Sequence, residues 1–546
     1  MKPRKFLIVL LLVCGCQPRG YTSTQSLSQA ASRLVAGLGP VHHPVCTANA
    51  LAQKYFDQGL AYLYGFNHEA AVRSFEYAAK LDPNLAMAYW GKALALGPNI
   101  NAPEIDRDAA RAAYEAVQRA QALASHATAP ERDYIAALSK RYAANSSADL
   151  RKLAFEFKTA MGELSRRYPD DLDAATLYAE SAMDLRPWKL YTHDGKPEEG
   201  TEEIVATLEW VLARDPNHLG ANHYYIHATE ASSSPQRGLA SARRLPVLAP
   251  ASGHLVHMPA HVYIRLGDYG AAIAANEAAA KADENYVSCC APGGGFYPAM
   301  YYSHNLHFLA VCAAMAGRSH EASDAAAKLA AHIDPVVEQM PMFEGFGAIP
   351  LLVAARQAQW GDVMKWPQPK PDHHATLAAW HFARGMAHAA MKDIGPALVE
   401  HDAFAAELAK ARDLPLGNNS TGRVLAIADH LLSGKVLEAR GDNAAARREL
   451  ELAVAAQDQL DYDEPPPFPW PVREALGAHL LRTGDAAAAE KVFREDLVRN
   501  PNNPRSLFGL AESLKARGRY ADADEVRKEF NERWAGADVK LTIEDF

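Results

Sequence analysis

Apolar residues recur at helical spacing along most of the chain, and Asp-Pro or Gly turns separate the segments that they form. The segments are rich in alanine, and the strict alternation that predicts strands is nearly absent. A polar stretch of Ser, Thr, Gln and Gly comes first, from about residue 17 to 40. The pattern therefore predicts an all-α protein behind a polar N-terminal tether.

The helical segments repeat with a period of 34 residues. In the first unit, small and aromatic residues mark the repeat: Tyr55, Gly59, Tyr62, Ala71, Phe75, Ala78 and Pro83. Near the C-terminus the same pattern returns: Gly484, Ala489, Phe493 and Pro501, then Gly518, Tyr520 and Ala523 one period later. Further units lie around Gly267, Gly317, Gly361 and Gly441.

This pattern resembles that of tetratricopeptide repeat (TPR) proteins, and the resemblance covers nearly all of the mature chain. It implies a right-handed α-solenoid of stacked helical hairpins, in which small residues allow two helices to approach closely. The length of 546 residues alone would suggest several domains. The repeat instead predicts one tethered solenoid.

The predicted division of the chain follows from the repeat and from its interruptions. It comprises a signal peptide (1–15), a lipidated tether (16–45), an N-terminal solenoid with a histidine-rich groove (46–364), a Pro-rich break (365–372) and a C-terminal solenoid (373–546). Two insertions, 186–198 and 284–300, depart from the period. We expect both to form loops that fold over the groove.

The N-terminus predicts export. Basic residues precede an apolar run at 6–13, which is typical of a secretory signal and too short to span a bilayer. The segment VCGC at 13–16 resembles a bacterial lipobox, which implies cleavage before Cys16 and lipidation of that cysteine. Gln17, which is not Asp, is typical of sorting to the outer membrane. The sequence thus predicts a lipoprotein anchored in the outer membrane and facing the periplasm.

Charge and cysteine content narrow the possible functions. The net charge of −9, with no concentrated basic surface, argues against nucleic acid as a partner. Four cysteines lie beyond the signal region, but sequence alone does not pair them: Cys46, Cys289, Cys290 and Cys312. No Cys-x-x-Cys-His motif is present, so covalent haem is not expected.

The histidines carry the candidate chemistry. Seven of the 22 lie between residues 223 and 307 and occupy only three positions of the repeat: His223, His227, His254, His257, His261, His304 and His307. His223 and His227 precede His257 and His261 by one period of 34 residues. The TPR resemblance implies that these positions line the concave groove.

Equivalent positions on neighbouring helices, whose axes lie about 8–10 Å apart, allow imidazoles to share a transition metal. We predict one site formed by His223, His227, His257 and His261 with Glu180, which falls in the same register once the first insertion is subtracted. His254, His304 and His307 are predicted to form a second or extended site. Glu230 and Asp184, one turn further along, are candidates to hydrogen-bond the ligands. Imidazole suits Zn, Cu, Fe or Ni.

Two functions stay open at this stage. In the first, a metal ion with an open coordination position activates water or dioxygen, giving a hydrolase or an oxidoreductase. No general base or substrate pocket can be assigned, and the absence of His-Glu-x-x-His argues against a zincin protease. In the second, the protein is an envelope scaffold whose groove binds a peptide or protein segment without catalysis. The resemblance favours the scaffold until the histidines are counted.

Overall fold

The computed structural model describes residues 33–145, 148–291 and 294–546. Almost all of the regular structure in these ranges is helical, which confirms the predicted all-α solenoid of helical hairpins. The signal peptide and Cys16 lie outside the described residues. None of the described helices combines the length and apolarity needed to cross a bilayer.

The helices follow one another in hairpins. The first nine are α1 (Ala50–Tyr64), α2 (His68–Leu81), α3 (Ala86–Ala95), α4 (Arg107–Ala122), α5 (Ala129–Leu138), α6 (Leu150–Arg167), α7 (Leu172–Met183), α8 (Thr201–Arg214) and α9 (Leu219–Thr229). The next eight are α10 (Leu239–Leu248), α11 (Gly253–His257), α12 (Pro259–Arg265), α13 (Tyr269–Cys290), α14 (Ser303–Met315), α15 (Ser319–Val337), α16 (Gly345–Arg356) and α17 (Trp360–Lys365). The last eight are α18 (His374–Ala390), α19 (Ile394–Ala411), α20 (Thr421–Ala439), α21 (Asn443–Asp458), α22 (Arg473–Arg482), α23 (Ala486–Arg499), α24 (Pro504–Ala516) and α25 (Tyr520–Arg533).

Short elements connect the helices. Four 3₁₀ turns span Ala124–His126, Pro235–Gly238, Pro341–Phe343 and Ile543–Asp545, and one π turn spans Pro298–Tyr302. A minimal antiparallel hairpin pairs β1 (Pro415–Leu416) with β2 (Asn419–Ser420). Cys289 and Cys290 form a disulfide at the end of α13, whereas Cys46 and Cys312 are free thiols.

The glycine and phenylalanine residues of the repeat pattern determine how closely neighbouring helices pack. Phe75 of α2 packs against Gly59 of α1 and Gly91 of α3, and a Cβ at either glycine would overlap the ring. Near the other end of the chain, Phe493 of α23 lies in the same way between Gly477 and Gly509. The small residues therefore let three successive helices close around one buried ring, as the 34-residue pattern predicts.

The described residues build two main hydrophobic cores. The first runs from Leu38 to Tyr301 and the second from Ala260 to Phe546. Their boundary falls in α11 and α12, within the histidine-rich region. The Pro-rich break at 365–372 lies between α17 and α18, and the second core continues across it.

Helices near the C-terminus pack back against the middle of the chain. The Asn502 side-chain amide donates a hydrogen bond to the carbonyl of Leu266, at 2.9 Å. Gly267, at φ +69°, lies directly against Pro501. These contacts join residues more than two hundred positions apart, and they bring the loop after α21 over the histidine-rich helices.

Candidate metal centre

Four helices converge on a group of six histidines, which we call the histidine cluster: His223 and His227 on α9, His254 and His257 on α11, His261 on α12, and His304 on α14. Pro259 helps to place them, because it lacks the N–H needed to continue α11 and starts α12 instead. Five of the six residues are buried and His304 is half-buried. The histidine face therefore lies inside the protein, where the sequence predicted a concave groove covered by the two insertions.

The cluster divides into two triads. The first triad is His223, His227 and His254, and the second triad is His257, His261 and His304. Within each triad, one ring nitrogen from every member lies within 4.8 Å of the others. The sequence grouped His223 and His227 with His257 and His261; the structure instead places one close-set triad on each side of the cluster.

Hydrogen bonds to Nδ1 fix the orientation of two rings. His223 Nδ1 lies 2.6 Å from the carbonyl oxygen of Tyr64, and His257 Nδ1 lies 2.6 Å from Oδ1 of Asn276. The Asn276 amide nitrogen donates to the Ala272 carbonyl at 2.8 Å, so its oxygen is free to accept. Because both partners are acceptors, each Nδ1 carries the hydrogen and each Nε2 presents a lone pair to the cluster.

Glu230 connects the two triads. One carboxylate oxygen accepts from His227 Nδ1 at 2.7 Å, and the other accepts from His261 Nδ1. Burial alone would raise the pKa of Glu230, but His261 and His227 lower it to about 2. The carboxylate is therefore charged, and from the C-cap of α9 it orients one histidine of each triad.

The Nε2 atoms approach one another closely. His223 Nε2 lies 3.0 Å from His254 Nε2, and His257 Nε2 lies 2.8 Å from His261 Nε2. His227 Nε2 is buried without a hydrogen-bond partner in the described part of the chain. Two nitrogens that share an ion, each about 2.0–2.1 Å from it, lie about 2.8–3.4 Å apart at right-angle to tetrahedral geometry. The observed separations are near the lower end of that range.

Electrostatics favours neutral imidazoles in most of the cluster. Burial, reinforced by neighbouring histidines, holds the pKa values of His223, His254, His257 and His304 well below the usual 6.5. For His261, burial acts in the same direction, but the charge and hydrogen bond of Glu230 outweigh it and raise the pKa. Among the six rings, His261 is therefore the one whose protonated form its surroundings favour.

Residues 461–464, which we call the cap segment, cover the cluster from the loop after α21. The Tyr462 hydroxyl lies 3.5 Å from Oε2 of Glu230, and the Arg265 guanidinium lies over the Tyr462 ring at 5.6 Å. Glu464 is buried, and its Oε2 has no hydrogen-bond partner in the described residues. Burial raises its pKa to about 8. Sequence reasoning missed this segment, because no local signal links it to helices more than 200 residues earlier.

Aromatic rings enclose the two triads. Phe66, held at φ +56°, lies with its ring centroid 4.5 Å from that of His223 and stacks on His227 and His254. Phe308 of α14 lies 4.8 Å from His257 on the other side. Phe66 belongs to the first hydrophobic core and Phe308 to the second. Each triad is thus packed against a different half of the protein.

Both insertions contact the cluster. Trp188, from the first, meets His227 edge-on at 5.5 Å and stacks on Tyr462 at 6.5 Å. Tyr297, from the second, accepts a hydrogen bond from the His254 backbone N–H at 3.1 Å. A small cavity of about 10 Å³, with room for about one water molecule, lies between Trp188, Tyr462 and Leu190 and reaches His227 and Glu230. It is a narrow opening beside the first triad.

Besides Glu230, three of the predicted site residues lie outside both triads. Glu180 and Asp184 are buried beside Arg141, whose guanidinium is 2.7 Å from Asp184, and the two carboxyl groups interact with each other. Glu180 is not among the residues whose side-chain oxygens lie close enough to the histidine nitrogens to share a metal ion with them. His307 packs edge-on against Phe346, and burial lowers its pKa to about 3.

A further group near the N-terminus contains His43, Asp171 and Asp173. His43 Nδ1 lies 2.7 Å from Asp173, which also accepts hydrogen bonds from His218 and Tyr64. The Tyr134 hydroxyl donates to Asp171 at 2.9 Å. These carboxylates are already well supplied with donors, so this group ties helices together and is a poorer metal site than the histidine cluster.

Comparison with known proteins adds no functional assignment. No protein-family model and no curated protein matches the chain. Among solved structures, the human IFIT1 dimer with m7Gppp-AAAA is 14% identical over 90% of this chain and 91% of that chain, with a TM-score of 0.36. Yeast Tom70 is 12% identical over 90% and 93% (TM-score 0.28), and the P58(IPK) TPR domain is 13% identical over 88% and 92% (TM-score 0.20). At these values the likeness carries no conclusion about function.

Proposed function

We propose that the protein binds transition-metal ions in the histidine cluster. The observation that supports this proposal is the orientation of the rings: Nδ1 of four histidines is held by outer acceptors, while the Nε2 atoms converge in a buried space. A buried group of neutral imidazoles with facing lone pairs is unfavourable unless protons or a cation lie between them. Such a cation would offset the burial of the lone pairs.

The ligand set suits some metals better than others. Neutral imidazoles favour Zn, Cu, Fe or Ni over Mg or Ca, which prefer oxygen ligands. Copper(II) binds most tightly in the usual order of divalent ions. Bound in the cluster, such an ion would supply Lewis acidity or redox chemistry to a small ligand. His227 and Glu230 would face a ligand that enters past Trp188 and Tyr462.

Metal analysis tests the proposal. The full chain, purified without a polyhistidine tag, is incubated with Cu²⁺ or Zn²⁺, freed of excess ion, and analysed for metal per chain. We expect stoichiometric metal in the native protein and loss of it in the variant His223→Ala/His227→Ala/His257→Ala/His261→Ala. His307→Ala is the matched control, because it removes a buried imidazole outside the triads. Equal, substoichiometric metal in native protein and quadruple variant would refute the proposal.

A second candidate function, peptide binding, is supported by a groove in the C-terminal repeats. The segment Leu541–Phe546, which contains the 3₁₀ turn Ile543–Asp545, lies there and is held through its backbone carbonyl groups. Arg482 donates to the Ile543 carbonyl at 2.8 Å, and Lys435 and Arg505 donate to the carbonyls of Phe546 and Asp545. A cavity of about 520 Å³ adjoins the segment. We propose that this groove also binds a short acidic peptide from a protein partner.

A labelled peptide with the sequence of residues 541–546 tests peptide binding. We expect the peptide to bind a chain in which residues 541–546 are deleted. It should bind the native chain more weakly, because the native segment competes for the groove. Adding Arg482→Ala to the deletion variant should lower the affinity for the peptide. No binding to the deletion variant would refute peptide recognition in this groove. The result is independent of the metal, since the groove and the cluster share no residue.

We further propose, from the signal and lipobox of the sequence, that the protein works in the bacterial envelope and is anchored through Cys16. An envelope location gives both candidate functions access to ions and partners of the periplasm.

A further inference from the structure

We infer that the histidine cluster is a dinuclear centre that binds one ion in each triad. This inference rests on the proposed metal-binding function and adds the number and placement of the ions. It does not follow from histidine content, because six imidazoles around one point would equally suit a single ion. It follows from how the structure divides and supports them.

The close nitrogen contacts lie inside the triads. His223 and His254 approach at 3.0 Å within the first triad, and His257 and His261 approach at 2.8 Å within the second. The ring centroids do not show the same division, because His227 and His261, in different triads, are 5.4 Å apart, whereas His227 and His254, in the same triad, are 6.1 Å apart. The division rests on the ring nitrogens, which lie within 4.8 Å of one another inside each triad.

The two triads are supported in the same way. Each contains one ring held by a neutral acceptor, which is the Tyr64 carbonyl for His223 and the Asn276 amide oxygen for His257. Each also contains one ring held by Glu230, His227 in the first triad and His261 in the second. A single carboxylate that orients one ligand of each ion fixes the two sites relative to each other.

One alternative is a single ion held by His227, Glu230 and His261, whose ligand atoms also lie close together. The hydrogen bonds disfavour it, because both Glu230 oxygens already accept from Nδ1 and the Nε2 atoms point elsewhere. An ion bound to Glu230 would have to replace both hydrogen bonds. Ions in the triads leave them intact.

Two buried carboxyl groups lie beside the triads. Glu230 contributes one negative charge within the cluster, and the cap segment adds the buried carboxyl group of Glu464, whose Oε2 has no hydrogen-bond partner in the described residues. Three protein ligands leave each ion a position for an exchangeable ligand, as in catalytic metal sites. Two ions held side by side are the arrangement that enzymes use to bind both ends of one small substrate.

Titration of the full, untagged chain with Cu²⁺ tests the number of ions. We expect two equivalents in the native protein, one in His223→Ala/His254→Ala, one in His257→Ala/His304→Ala, and two in the control His307→Ala. Electron paramagnetic resonance adds a separate readout. Each one-copper variant should show the full signal of an isolated Cu²⁺, while the doubly loaded native protein should show a spectrum altered by coupling between neighbouring ions.

The outcomes separate this inference from the proposed function. One equivalent in the native protein would refute the dinuclear centre and leave metal binding intact. No bound copper would refute both. Two equivalents retained in either double variant would place the ions outside the triads and refute the inference. The native titration and its spectrum need no variant, so the number of ions is decided even if a variant does not fold.

Discussion

Glu230→Gln is a sharp perturbation of the cluster, because it keeps the side-chain shape and removes one acceptor. In the native protein the two carboxylate oxygens accept from His227 Nδ1, at 2.7 Å, and from His261 Nδ1. A glutamine has one oxygen, and its amide group would face the hydrogen of the other ring. One imidazole therefore loses its partner and its orientation, in whichever way the amide turns.

The expected loss of metal affinity can be worked out from the loss of this hydrogen bond. Removing the partner that orients a metal-bound histidine lowers metal affinity about 10–100-fold, which corresponds to about 1.4–2.7 kcal/mol. We expect both ions to be weakened, since Glu230 supports a ligand in each triad. The assay is competition for Cu²⁺ with a chromophoric chelator, read as the metal dissociation constant, with circular dichroism to check folding.

The matched control is Glu400→Gln. Glu400 accepts from His381 Nδ1 at 2.7 Å and from Arg384 at 2.7 Å, but it lies in the C-terminal repeats, away from the cluster. The Glu400→Gln substitution should therefore leave metal affinity unchanged. An unchanged dissociation constant in Glu230→Gln, with the fold intact, would show that the carboxylate does not orient the ligands and would refute the reasoning.

Three further predictions concern the fold and the anchor. Gly267→Ala should destabilise the protein by more than about 1 kcal/mol in thermal unfolding, because φ is +69° and a Cβ would overlap Pro501; an unchanged melting temperature would contradict this close approach. Glu474→Gln should cost about 3–5 kcal/mol in urea unfolding, because it strips a buried Arg356 of its bidentate partner. Burial would raise the pKa of Glu474, but Arg356 and Arg505 hold it below 4.5 in the folded protein. The stabilisation from the ion pair is therefore present above pH 4.5, and it should be lost as the pH falls through the lower pKa that Glu474 has in the folded state. Cys16→Ser should move the protein from the membrane fraction to the soluble envelope fraction; unchanged fractionation would argue against lipidation.

The sequence predicts the fold well because the determinants are local and periodic. Gly59 and Phe75 recur as Gly477 and Phe493, and each pair closes a hairpin in the same way. Register also predicts that His223, His227, His257 and His261 lie near one another, since equivalent positions of a repeat stack. Both features depend on spacing, which is visible in one sequence.

The surroundings of the cluster depend on contacts that spacing does not reveal. The cap segment reaches Glu230 across more than 200 residues, and Phe66 adopts a positive φ that no local motif announces. Glu180 was expected as the carboxylate by register, yet it turns to Asp184 and Arg141, while Glu230 takes the place between the rings. A repeat predicts which residues share a face, but not which distant segment covers that face.

The position of the cluster at the boundary of the two hydrophobic cores bears on how the molecule unfolds. Apolar contacts across a boundary make two halves melt together, whereas a boundary of neutral imidazoles with facing lone pairs couples them weakly. Because Glu230 holds one ligand of each triad, ions bound in both triads stabilise the state in which the halves are joined. We therefore expect calorimetry to show two separable transitions in chelator-treated protein and a single cooperative one in the metal-loaded protein.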